Sequence, residues 1–326
     1  MRILGFICLV AACGGVDGGD DGGGSGSGAT GPYFEEPMFF NVDVSGTSPA
    51  SNSDSIIGSL RAAGGWGNGD RMQIDFSIDV LRADASATMR SFTPTGEFYE
   101  PDCDHMEVPI PAGGNVEGET GYECTSGGDC HLLVFDESAG KLYEMWRADI
   151  ASSFVGGCLA VWDSKTVYTE TLRGEQCTSA DAAGFPISPL LFNADEVAAG
   201  EIDHAIRFIL PNDRVQRGYV RPATHGTNTS GDANAPSYGV HLRLRADYPI
   251  ETLPSAGAKI VARAMQRYGM YHADGGNIAL TAQSDRYTTA KWDGLLEPRD
   301  LAELAVEDFE VIDHGPQIEL TLDCAR

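Results

Sequence analysis

Residues 177–211 read CTSADAAGFPISPLLFNADEVAAGEIDHAIRFILP, and the whole chain can be organised around them. A turn-rich loop holds Asp181, and Pro186 and Pro189 punctuate an apolar run. Asn193 and Glu196 then stand at capping-box spacing ahead of Ala194–Ala199, and Gly200 supplies the stop, so a short helix is expected there. Beyond it Ile206, Phe208 and Leu210 alternate with other residues, which predicts a strand with one apolar face. His204 falls on that face near the strand's head.

The same alternation recurs on both sides. Met72, Ile74, Phe76, Ile78 and Val80 predict a half-buried strand. HLLVFD (131–136), KLYEMWRA (141–148) and CLAVWDS (158–164) read as three more, the first two joined by a hairpin at Glu137–Gly140. In YGVHLRLRADY (238–248), Val240, Leu242 and Leu244 are expected to face the core, with His241, Arg243 and Arg245 in water. A helix is predicted over Ala256–Tyr268, capped by Ser255 and ended by Gly269. Its basic face of Lys259, Arg263 and Arg267 offers an anion site, weighed against a solvated face. Short strands, frequent turns and no regular strand–helix alternation point to a mainly β chain. The expected fold is an antiparallel β-sandwich of jelly-roll type with one or two flanking helices.

The N-terminus points to export. Ile3–Val10 is an apolar stretch too short to span a bilayer. It leads to Leu9-Val-Ala-Ala-Cys13, which has the pattern of a bacterial lipobox. Residues 1–12 are therefore expected to be a lipoprotein signal peptide and Cys13 the lipidated residue. Residues 13–32, rich in Gly, Asp and Ser, read as a tether, and 33–326 as one domain. Gly14 follows Cys13 in place of the aspartate that signals inner-membrane retention, so outer-membrane placement is expected if the host is Gram-negative. The formal net charge is −26, from 48 acidic and 22 basic residues. That excludes the basic footprint nucleic-acid binding requires.

Cys103, Cys124, Cys130, Cys158, Cys177 and Cys324 form an even set in an exported chain and read as disulfides. The turn residues between Cys124 and Cys130 favour that pair. Cys158 with Cys177 and Cys103 with Cys324 are the expected remainder. Zinc-ligand spacing is absent, and no metal or cofactor is expected.

There is no GxSxG elbow, no HExxH, no phosphate loop and no calcium-loop series. The candidate catalytic residues are Asp181, His204, His225 and His131. A carboxylate beside an imidazole at a sheet rim suits acid–base work. Buried strand-end histidines that satisfy the core, and turn-stabilising roles for Asp181 and His225, are the plainer alternatives. Trp292, outside any expected strand, is the candidate exposed ring for stacking a sugar.

The ordered motifs GDCH (128–131), LYEMWR (142–147), GCLAVWD (157–163), CTSADAAG (177–184), HAIRF (204–208), PATH (222–225) and RYGM (267–270) resemble a family of exported bacterial proteins with no assigned activity. The resemblance implies an exported single-unit protein and adds weight to His131, Asp181, His204 and His225 as matched positions. The expected function is that of a lipid-anchored cell-envelope protein that processes glycans at a rim cleft. A non-catalytic glycan- or protein-binding module and a structural envelope lipoprotein are the alternatives.

Overall fold

A computed structural model describes residues 26–326. The expected signal peptide, Cys13 and the tether as far as Ser25 lie outside the described residues. Ala29 is buried, its N–H bonds the Val80 carbonyl, and the Arg82 N–H bonds that of Ser27, so the folded part starts before Tyr33.

In chain order the first elements are α1 (Ser53–Ala62), the single turn α2 (Gly67–Asp70), β1 (Ile74–Ile78), β2 (Val80–Ala83), β3 (Thr88–Arg90), β4 (Thr93–Pro94) and β5 (Val108–Ile110). Then come β6 (Leu132–Asp136), β7 (Lys141–Trp146), β8 (Asp149–Ile150), β9 (Phe154–Gly156), β10 (Cys158–Asp163), α3 (Ala194–Ala199) and β11 (Ile206–Leu210). The last are β12 (His241–Leu244), α4 (Ala256–Arg267), β13 (Met270–Gly275), β14 (Leu280–Gln283) and β15 (Phe309–Val311). The chain is mainly strands, arranged in several sheets with few helices. The largest sheet has the order β1-β14-β11-β13-β12-β15, and a second has β10-β7-β6-β2. Two small sheets, β3-β5 and β4-β9-β8, complete the set.

The expectation of antiparallel pairing is corrected in part. β1 runs parallel to β14, β11 to β13, β2 to β6 and β4 to β9. Parallel neighbours need crossovers, and here these are long and mixed: β2 and β6 are joined without a helix, whereas β12 and α4 lie between β11 and β13, so no regular strand–helix alternation shows in the sequence. Before α1 the chain makes a 3-10 turn at Phe39–Asn41.

β6, β7 and β10 are apolar along nearly every residue because both faces of their sheet are covered. Leu133, Phe135, Leu142, Ala160 and Trp162 enter the main core, shared with the six-stranded sheet. Their neighbours Leu132, Val134, Tyr143, Met145 and Leu159 enter a second, smaller core with Val108, Ile110 and Phe154. Both capped helices form as expected. Asn193 Oδ1 accepts from the Glu196 N–H at 3.0 Å, Glu196 Oε2 accepts from the Asn193 N–H at 2.9 Å, and Gly200 ends α3 at φ +95°. Ser255 Oγ accepts from the Ala258 N–H at 3.1 Å to start α4.

β12 departs from the alternation read in its sequence. His241 and Arg243 are buried, not solvated. His241 stacks on Tyr271 at 4.0 Å between ring centres, and Arg243 pairs with Glu310.

The disulfides are Cys103–Cys158, Cys124–Cys130 and Cys177–Cys324. The short pair is the expected one and the other two pairings are corrected. Spacing along the chain carried no information about them, because non-adjacent cysteines meet through the sheets. Disulfides of this number point to an oxidising, extracytoplasmic compartment. Among the described residues no helix is long and apolar enough to cross a membrane.

Cys177–Cys324 closes the longest loop, with a sequence separation of 147 against 6 for Cys124–Cys130. On loop-entropy grounds replacing both members of the long pair by alanine should cost about 5 kcal/mol, and of the short pair about 2 kcal/mol. Denaturant titration of the two double variants checks the order. Peptide mapping of the non-reduced protein should return the three observed links, and a Cys158–Cys177 peptide would contradict them.

Candidate functional site

The loop ahead of α3 is fixed from within. Ser179 Oγ donates to the Phe185 carbonyl at 2.6 Å and accepts from the Asp181 N–H at 3.0 Å. Gly184 has φ +80°, and a Cβ there would lie 2.2 Å from Thr224 Oγ1, so only glycine fits. This turn drives the Asp181 side chain wholly inside, where it is 0% exposed.

Its partner is Arg207 on β11. Arg207 Nη2 donates to Asp181 Oδ1 at 2.7 Å and Nε to Oδ2 at 3.3 Å, while Nη1 donates to Thr281 Oγ1 at 3.1 Å. Nη2 also reaches Asp274 Oδ2 at 3.1 Å. A register shift makes that contact possible. Phe208 pairs with His272 but Ile209 with Asp274, so one extra residue, Ala273, turns Asp274 onto the face of Arg207. Without the bulge the carboxylate would sit on the apolar face with Phe208.

His131, at the head of β6, faces the same loop. Its Nδ1 bonds Glu117 Oε2 at 2.7 Å, and its Nε2 lies 3.4 Å from the Ala180 carbonyl. His225 bonds the Ala182 carbonyl through Nδ1 at 2.9 Å. Three of the four expected catalytic residues are thus gathered on one loop, but the histidines bond its backbone and Asp181 is taken by Arg207.

The electrostatics follow from burial and charge count. Burial opposes the charge on His131, but Glu117 outweighs it and raises the imidazole to about 9. Burial pushes Glu117 up, yet the attraction and hydrogen bonds of His131 bring it down to about 2. Burial also opposes the charge on Arg207, and Asp181 and Asp274 together restore it. Burial pushes Asp181 up against the pull of Arg207, and contact of the guanidinium with both carboxylate oxygens favours the ion pair. Asp274 is left over. Burial, then the neighbouring Asp181, push it up to about 7 in spite of Arg207. Two cations therefore face three carboxylates, and the outermost takes up the proton.

His204 stands apart from that loop. Its Nδ1 lies 2.8 Å from the Ala205 carbonyl and its Nε2 3.3 Å from Glu196 Oε1. It lines a cavity of about 280 Å³ together with Tyr33, Phe34, Phe40, Glu196 and Asp203, and the lining includes none of the other three candidates. The walls are tied to the strand's head, since the Ala205 N–H bonds the Phe40 carbonyl and Asn41 Nδ2 donates to the Asp203 carbonyl at 3.3 Å. Burial lowers His204, but Glu196 more than compensates, so its acidity shifts towards the charged ring. Glu196 is doubly employed, because Oε2 also accepts from Asn193 Nδ2 at 2.7 Å in the helix cap.

Other expectations are corrected. Trp292 is 7% exposed, packs on Phe76 at 4.7 Å between ring centres, and donates Nε1–H to the Gln283 carbonyl at 3.0 Å. It is a core residue and offers no free ring. The basic face of α4 is neutralised. Lys259 and Arg263 reach Glu251, and Arg267 reaches Asp43, Glu201 and Asp203, which leaves no anion site there. His272 is fully buried against Tyr238 and Phe208. Glu119 lies close to Cys124 and Cys130, but that sulfur pair is a disulfide and supplies no thiolate.

Arg207, Glu117, Asp274 and Glu144 were not singled out from sequence. Glu144 is wholly buried on β7 and accepts from the Ile187 and Ser188 N–H groups, Ser188 Oγ and Trp162 Nε1. The usable signal was local. Both Arg207 and Glu144 interrupt otherwise apolar strands, and a charge in such a strand needs a buried partner. Glu117 and Asp274 sit in turn-like sequence and carried no such mark.

Comparison of the chain with family models, curated proteins and solved structures returns no match.

Asp181→Ala should cost about 3–5 kcal/mol by leaving Arg207 buried without its main partner, measured by urea unfolding. The pH dependence has a defined sign. Glu117, low in the folded state, contributes stability that is lost as pH falls from 4.5 towards about 2. Asp274, raised from 3.8 to about 7, and His131, raised from 6.5 to about 9, contribute stability lost as pH rises through those ranges. The unfolding midpoint should therefore fall between pH 5 and 9, and Asp274→Asn should flatten the part below pH 7.

Proposed function

We propose that the chain is an exported, lipid-anchored cell-envelope protein that binds a saccharide unit in the cavity at the head of β11. The carrying observation is the cavity itself, which joins aromatic side chains, Tyr33, Phe34 and Phe40, to polar groups at Glu196, Asp203 and His204. Flat apolar rings with a polar rim suit a sugar, which has an apolar face and hydroxyls around its edge. At about 280 Å³ the space falls near the small end of ligand pockets, about 300–1,000 Å³, and suits one ring, not a long chain.

Binding is favoured over processing by the state of the polar groups. Both nitrogens of His204 face acceptors, and both oxygens of Glu196 are engaged. A proton moved at His204 must break its contact with Ala205 or Glu196, and one taken up on Glu196 Oε2 must disturb the cap of α3. The processing reading expected from sequence keeps one observation in its favour. Asp274 and Glu117 are partly exposed carboxylates, at 25% and 17%, driven to opposite protonation states.

Several finer expectations belong to the same proposal. They are the lipid on Cys13, outer-membrane placement if the host is Gram-negative, and kinship with the exported bacterial proteins that share the GDCH to RYGM motifs. A sandwich of jelly-roll type is also part of it, and the main core shared by the six- and four-stranded sheets supports that layering.

Titration of the mature protein with a panel of monosaccharides, followed by calorimetry, tests the reading. Saturable binding should appear and weaken about three- to tenfold in Phe34→Ala, with no product formed. Binding by no member of the panel contradicts the saccharide reading, and turnover would move the assignment to Asp274 and Glu117.

A further inference from the structure

The polar capacity left in the cavity is one-sided. Its lining contains two carboxylates, Glu196 and Asp203, and no lysine or arginine. Apart from the Thr30 hydroxyl, the side-chain donors that border it are engaged, and the Tyr33 hydroxyl donates to the Ala29 carbonyl at 3.0 Å. Asn41 Nδ2 is bonded to the Asp203 carbonyl, Ser188 Oγ to Glu144, and His204 to Ala205 and Glu196. What remains is the Thr30 hydroxyl and a set of acceptors. Asp203 is the most open of them, with a side chain 70% exposed. Its two protein contacts, from the Tyr268 hydroxyl at 3.3 Å and Arg267 at 3.6 Å, both fall on Oδ1, so Oδ2 remains for a ligand. A molecule rich in donors is the better match to such a lining.

The aromatic walls narrow the choice further. Phe34 stands edge-on to Trp162 and Tyr168 at 6.4 and 6.0 Å between ring centres, and tilted to Phe40 at 6.2 Å. Aromatic faces beside a carboxylate attract a cationic group more than a neutral one, because the ring quadrupole and the carboxylate act in the same sense. The field of the chain adds to this, with a formal net charge of −26. A neutral sugar would use the rings and acceptors but not the charge.

We propose that the saccharide taken by this cavity carries a free, protonated amine, which Asp203 receives beside the aromatic wall; the ligand class is an amino sugar. The inference rests on the saccharide reading of the same cavity. N-acetylation removes the charge and one ammonium's donors while leaving the ring, so acetylated sugars are the natural discriminating controls.

The test is calorimetry of the mature protein at pH 6 and low salt with glucosamine, glucose and N-acetylglucosamine, repeated with Asp203→Asn. Asp203 is exposed, so the variant is expected to fold, and its far-UV spectrum confirms that. Glucosamine should bind about tenfold more tightly than either neutral sugar. Asp203→Asn should remove that margin, so that glucosamine and glucose bind the variant about equally. Equal binding of all three sugars overturns the amine while leaving the saccharide pocket in place. A tenfold margin that survives in Asp203→Asn overturns the role of Asp203. Absence of binding by any of the three overturns this inference and counts against the saccharide pocket as well.

Discussion

A guanidinium buried on the face of the six-stranded sheet is the constraint from which much of the interior follows. Arg207 is charged and almost without solvent, so the chain must bring carboxylates to it. Asp181 comes from a loop that its own hydroxyl and glycine turns hold rigid. Asp274 comes from a strand that bulges to turn it inward. The loop tied down by Arg207 offers its carbonyls to His131 from the four-stranded sheet and to His225 from a later turn. Glu144 repeats the device one step along the chain, where a buried carboxylate collects the backbone N–H groups of Ile187 and Ser188. A segment with few regular elements of its own is thus moored to both sheets by side-chain charge.

That mooring explains why the residues with the most chemical promise are the least free. Asp181, His131 and His225 are bonded to a guanidinium, a carboxylate and main-chain carbonyls. His204 lies two residues before the same strand but faces elsewhere, across a cavity built from the domain's first residues. The strand therefore separates two tasks. Its middle anchors the loop, and its head borders a cavity of about 280 Å³.

Local features of the fold were legible in sequence and long-range ones were not. The capping box at Asn193 and Glu196 and the serine cap at Ser255 are decided within four residues, and both formed as read. Strand positions followed from alternation, and the run at Leu132–Asp136 followed from its continuous apolar character. Parallel pairing, by contrast, is decided by which distant strands meet, and no local pattern marks it. The same holds for Cys103–Cys158 and Cys177–Cys324, whose partners are brought together by the sheets. Burial of His241 and Arg243 was misread because alternation was taken to mean one wet face, and that of Trp292 because a position outside any expected strand was taken to be exposed. β12 has cover on both faces, since Leu242 and Leu244 enter the main core and the Tyr271 ring and Glu310 cover the face of His241 and Arg243. Of the candidate site, the position of His204 at a cavity was legible from its place at the strand's head, whereas Glu196 could be read only as a helix cap. Its second role, holding His204, exists only once the strand folds back on the helix.

The central claim is that ligand meets this protein at His204 and that Asp181, His131 and His225 are scaffold. The chain has 7 histidines, few enough to resolve by imidazole NMR. Adding a bound saccharide should shift the ring resonances of His204 and leave those of His131 and His225 in place. Shifts at His131 or His225 with His204 unmoved would contradict the claim and return the site to the Asp181 loop.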